Sequence, residues 1–203
     1  MTVRMIPAAS VLLCATLVAG CGGGGAAAST QSAPASHVAQ PPASSGGTTR
    51  LVGFATDDDM RAYMTALRPM WREVRKANAL AHTEVELAPS GKFPAMADAS
   101  RGISRHLAKA AALARSVSPP SLLARPHASL VRALRIGARM ATVLAGLYHH
   151  MGPDSEQHYN QRVLPLERRS VRLGNAWYVS TYHDMRAVHV RMPGWVDRLF
   201  NWS

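Results

Sequence analysis

Apolar side chains recur at steps of three and four through most of this chain, and each run of them stops at a proline or a glycine. That spacing gathers them on one face of an α-helix, so the chain is confined to helices that must bury those faces against one another. The first stripe is Met60, Met64, Leu67, Trp71, Val74, Asn78 and Ala81. Asp57, Asp58 and Asp59 precede it, carboxylates suited to capping a helix start and opposing its dipole. Pro69 lies inside the stripe and is expected to kink the helix or split it near Leu67. After the break at Pro89-Ser90-Gly91, a second helix over about residues 94–117 turns Met96, Ile103, Leu107, Ala110, Ala114 and Val117 inward. Its small core side chains permit a neighbouring helix to come close.

Ser118-Pro119-Pro120 supplies a cap and a proline-tolerant first turn for a third stripe. This one runs Leu123, His127, Leu130, Leu134, Gly137, Ala141, Leu144 and Tyr148, with Pro126 delaying its regular start. Gly152-Pro153-Asp154 separates it from a fourth, Tyr159, Val163, Leu166, Ser170, Leu173, Trp177 and Thr181, which Pro165 is expected to bend. Pro193-Gly194 then precedes a short amphipathic end carrying Trp195, Val196, Leu199, Phe200 and Trp202. No alternating strand pattern competes with these stripes, and the connections are short. The expected fold is therefore all-α, an up-and-down four-helix bundle of kinked helices over 57–203, preceded by a flexible tether. A domain of about 147 residues buries enough surface to need no disulfide or metal for stability.

Residues 1–20 begin with one positive charge, Arg4, continue through an apolar stretch from Met5 to Val18 and end in small residues. This is the build of a secretory leader, too short to span a membrane as a helix. Its end, Leu17-Val18-Ala19-Gly20-Cys21, resembles the lipobox of bacterial lipoproteins. The resemblance implies a diacylglycerol on the Cys21 thiol, cleavage of the Gly20 to Cys21 bond and, as an optional further step, acylation of the freed amine. Two acyl chains make a lasting membrane anchor where one gives only reversible binding. The competing reading is an ordinary secretory leader with a chance cysteine. Gly22 stands where an aspartate would resemble an inner-membrane retention signal, which permits outer-membrane sorting in a two-membrane cell. Cys14 lies in the leader, so the mature chain holds one thiol and no internal disulfide. The span 21–56 is rich in Gly, Ala, Ser and Pro, cannot offset its own ordering entropy, and reaches roughly 30 to 36 Å as a flexible coil.

The formal charge is +11, and loss of Arg4 with the leader leaves +10. Export makes anionic phospholipid headgroups or an envelope component the expected partners, and excludes nucleic acid. Arg132, Arg135 and Arg139 line one side of the third helix, and Arg162, Arg169 and Arg172 do likewise on the fourth, a candidate basic surface. A solvated face of helix-favouring arginines is the alternative. The Pro119-Pro120 turn, Leu123 and His127 entering a helix, and the terminal Pro193-Gly194-Trp195 resemble helical lipoproteins of high-G+C bacteria. Twenty arginines against three lysines fit such a genome. That group brings no established activity to carry over.

The densest set of metal-ligating residue types is His149, His150, Asp154, Glu156 and His158, straddling one tight turn and offering donors suited to Zn²⁺ or Cu²⁺. Gly152-Pro153 breaks any single helical face that would align them, and histidine also suits a solvated helix C-terminus. His127 falls on an apolar stripe, where a histidine usually donates to a nearby carbonyl rather than acting as a ligand or base. Asn78 is a candidate partner for it across the core. The terminal Trp195, Phe200 and Trp202 suit either a membrane interface or, more simply, a cover for the open end of the bundle.

Enzyme signatures fail one by one. No glutamate has a histidine three residues later, as di-iron bundles require, and covalent haem needs a second cysteine. Gly102-Ile103-Ser104-Arg105-His106 lacks the last glycine of a nucleophile elbow. Gly91-Lys92 lacks the upstream glycine and the hydroxyl of a phosphate loop. The expectation is a noncatalytic, cofactor-free, membrane-anchored binding module, with a metal or small-ligand carrier built on the histidine turn as the alternative.

Overall fold

The computed structural model describes residues 55–191 together with Pro193, Gly194 and Val196. Cys21, the tether, Trp195, Phe200 and Trp202 lie outside the described residues. Within them the chain is all-α, a helical bundle without strands.

Helix α1, Asp57–Ala66, starts not on the aspartate run itself but on Thr56. The Thr56 hydroxyl accepts from the Asp59 N–H (3.2 Å) while the Asp59 carboxylate accepts from the Thr56 N–H (3.0 Å), a reciprocal capping box. The Thr56 N–H and hydroxyl both donate to that carboxylate and hold it below its ordinary pKa. Leu67 is at once the last cap of α1 and the first of α2, Arg68–Leu87, and Pro69 occupies the first turn of α2, where its missing N–H costs nothing. A 3₁₀ turn, Ala88–Ser90, closes on Gly91, whose φ of +62° is the left-handed conformation that glycine adopts without strain.

Helix α3, Phe93–Arg115, has Pro94 in its first turn, and α4, Ala124–His149, follows a 3₁₀ turn at Ser121–Leu123. After the reversal at Met151 to Asp154 comes the single turn α5, Ser155–His158. It passes through a π-helical turn, Tyr159–Val163, into α6, Leu164–Ala187. The C-terminus of α6 closes with the Val190 N–H on the Met185 carbonyl (2.8 Å) and the His189 N–H on that of Arg186 (3.1 Å), with His189 in the left-handed region.

The helices pack in chain order, α2 on α3, α3 on α4 and α4 on α6. All of the first and third stripes are buried. Ala97, Ala110, Ala111 and Ala114 bring α3 close to its neighbours, and at Gly102 a Cβ would stand 2.6 Å from Leu80 Cδ1 of α2. Polar bonds fix the registers: Ser104 to Thr142 (2.8 Å) between α3 and α4, and Ser170 Oγ donating to the Ala133 carbonyl (3.0 Å) between α6 and α4. Trp177 of α6 meets Trp71 of α2 with ring centroids 5.6 Å apart, which joins the last long helix back to the second. The π-turn inserts one residue into the helical period. Glu167, Ser170, Gly174, Trp177, Thr181 and Met185 become the inward positions of α6, while Leu166 and Leu173 of the expected stripe are only half-buried.

Candidate anionic-partner face and the polar groups beneath it

Arg132, Arg135, Arg139, Arg162, Arg169 and Arg172 are all exposed. The Ser170 to Ala133 bond sets Arg132 and Arg169, each one residue before a bonded partner, at the same height of the bundle. Helix α4 contains no Asp or Glu. The ion pairs of the described residues lie in α1 to α3: Arg61 with Asp57, Arg101 with Asp98, and Lys76, Lys109 and His106 with Glu73. Among the described residues, none of the six arginines has a carboxylate within ion-pair reach. These arginines of α4, the π-turn and α6 face water, as do Arg68, Arg72, Arg75, Arg105 and Arg115 of α2 and α3, which form no ion pair among the described residues either.

The five residues of the histidine turn do not converge. Among the described residues, no three of His, Cys, Asp or Glu gather to hold a metal ion. The chain reversal at Met151 to Asp154 is the reason. It leaves His149 beside Arg101 of α3, places His150 and His158 along one groove with Arg162, and leaves Asp154 and Glu156 exposed elsewhere on the turn.

His127 sits in the core as a bonded group. Trp177 Nε1–H donates to the Tyr63 hydroxyl oxygen (3.0 Å), Tyr63 pairs with His127 Nδ1 (3.0 Å), and the ring also bonds the Ala114 carbonyl. One tautomer satisfies the whole chain, with Tyr63 O–H donating to Nδ1 and Nε2–H donating to Ala114. Burial holds His127 below the ordinary histidine pKa, so the neutral ring is the native form. Asn78 is not its partner; the Asn78 amide nitrogen is buried without a hydrogen bond.

Sequence reasoning missed three buried carboxylates. Glu73 is held down to about 2 by its bond to His106 (2.7 Å), then by Lys76. This pairing between α2 and α3 stabilises above the ordinary glutamate range and is lost as pH falls toward 2. Glu167 accepts from the Tyr159 hydroxyl (2.9 Å), and burial raises its pKa. Glu84, 1 % exposed, accepts from Ser100 Oγ at Oε1 (2.9 Å), while Oε2 has no hydrogen-bond partner. The Tyr148 hydroxyl neighbours the same carboxyl without closing a bond on Oε2. Burial pushes Glu84 up to about 7.

Compared with protein-family models, with curated proteins and with solved structures, the chain matches none. No described helix is long and apolar enough to cross a membrane.

Proposed function

We propose that this chain is a membrane-anchored envelope lipoprotein that works without catalysis, by contact, its arginines on α4, the π-turn and α6 engaging the headgroups of anionic phospholipid. Six exposed arginines on α4, the π-turn and α6 carry the reading: every ion pair of the described residues falls on α1 to α3, and none reaches these six. The lipobox at Cys21 supplies the anchor, and the span 22–56 supplies the reach for that face to meet a bilayer on the extracytoplasmic side. A basic residue close to an anionic surface gains on the order of 1 kcal/mol. For the bundle we infer the up-and-down four-helix arrangement, with α1 and α2 as one interrupted helix and α5 and α6 as another. The packing order and the Trp71 to Trp177 contact support it.

Two measurements test the proposal. Mass spectrometry of the native protein is expected to find Cys21 as the first residue, carrying acyl mass; an unmodified thiol there removes the anchor. In flotation with vesicles of anionic phospholipid, the chain carrying Cys21→Ser is expected to bind and to be released by salt. Arg132→Gln with Arg139→Gln should remove about 2 kcal/mol, near thirtyfold in affinity. Salt-insensitive binding, or equal binding to neutral vesicles, rejects the face as the contact.

A further inference from the structure

A groove of roughly 450 Å³ runs between the C-terminal turns of α4 and the π-turn, within the size range of small-ligand sites. Val143, Leu147 and Val163 give it an apolar floor, and His150, His158 and Arg162 stand along it. None of its lining residues is acidic.

Gly146 opens that floor. A Cβ built on it meets nothing within 4 Å, and its backbone is ordinary helix, so neither crowding nor a left-handed φ demands a glycine. Inside a helix glycine is destabilising relative to alanine, and here no packing offsets that loss. The opposite wall is the π-turn. Such turns interrupt α-helices at a local cost and are frequent at functional sites. This one turns Val163 inward and leaves His158 and Arg162, four residues apart, exposed.

We propose that this groove binds a phosphate monoester carrying an apolar chain. The guanidinium fork of Arg162 and one ring N–H from each of His150 and His158 offer donors to the three peripheral oxygens of a phosphate, where a carboxylate has only two. The valine and leucine floor takes the first carbons of the chain. The site goes beyond the arginine face of the proposed function and shares only Arg162 with it.

Decyl phosphate, kept below its micelle concentration, is titrated calorimetrically into the full chain carrying Cys21→Ser, beside inorganic phosphate and decyl maltoside. Decyl phosphate is expected to bind at one site at least tenfold more tightly than either the bare anion or the neutral head with the same chain. Gly146→Leu, which fills the floor, and Arg162→Gln should each weaken it tenfold or more; Arg132→Gln should leave it within twofold. Gly146→Ala should melt at the same temperature or higher. Equal affinity for inorganic phosphate, undiminished binding by Gly146→Leu, or a loss in Arg132→Gln matching that in Arg162→Gln each overturns the groove. The last outcome returns the ligand to the broad basic face. Because Arg162 is exposed and has no carboxylate partner among the described residues, its variant keeps the test decisive even if Gly146→Leu fails to fold.

Discussion

Trp177→Ala is expected to cost about 3–5 kcal/mol, the range for deleting a fully buried aromatic side chain. For a domain of this size that is a fall of roughly 10–20 °C in thermal midpoint. Trp177 is 0 % exposed and belongs to two structures at once. Its ring lies against Trp71 of α2, tilted by 50°, and its indole N–H donates to the Tyr63 hydroxyl of α1. Removing it opens a cavity and takes one donor from the Tyr63 to His127 chain. Trp177→Phe keeps most of the volume and loses the donor, so a cost of about 1–2 kcal/mol is expected. Urea unfolding followed by circular dichroism measures both. A loss under about 1 kcal/mol for the alanine variant would mean that α6 is not packed against α1 and α2 as described.

Glu84→Gln is expected to stabilise the protein by about 3 kcal/mol at pH 8, an upper bound set by the pKa displacement. The native pKa of Glu84, about 7, lies above its ordinary value of 4.5. Between those values the folded state therefore holds a proton that the unfolded state has released. Its contribution to stability is full below that window and is lost as pH rises through it. Glutamine copies the neutral acid and stays neutral. The advantage of the variant should consequently shrink toward zero near pH 4.5, whatever other groups titrate in both proteins. Parallel unfolding curves across pH 4.5–8 give the difference directly. A gap that does not change with pH would show that Glu84 has the same pKa in the folded and unfolded states, and is not raised by burial.

The reach and the limit of the sequence reading have one physical origin. Helical period is local, so Met60 through Ala81 and Leu123 through Tyr148 announced their buried faces. Glu84 extends the first of these stripes by one more step of three from Ala81, and Ser100 falls between Met96 and Ile103. The signal for that buried contact was present, but a carboxylate invites placement in water. The π-turn was invisible because nothing in Tyr159–Val163 marks an inserted residue, and it exchanged Leu166 and Leu173 for Glu167 and Gly174. Register between helices distant in sequence is not encoded locally either. For that reason Tyr63, not Asn78, answers His127. The arginine rows were legible as rows. Their lack of ion pairs among the described residues was not, since it depends on where the folded chain places each carboxylate.

The capping box at Thr56 marks where a mechanical load would enter. A pull on the chain ahead of Thr56 acts first on α1, ten residues separated from α2 by the joint at Leu67 and held by Met60, Tyr63 and Met64. Peeling α1 away withdraws the Tyr63 hydroxyl from His127 and Trp177 together. The earliest event under tension is then the exposure of an indole and an imidazole that both lose their shared partner, while α2, α3 and α4 keep their mutual packing.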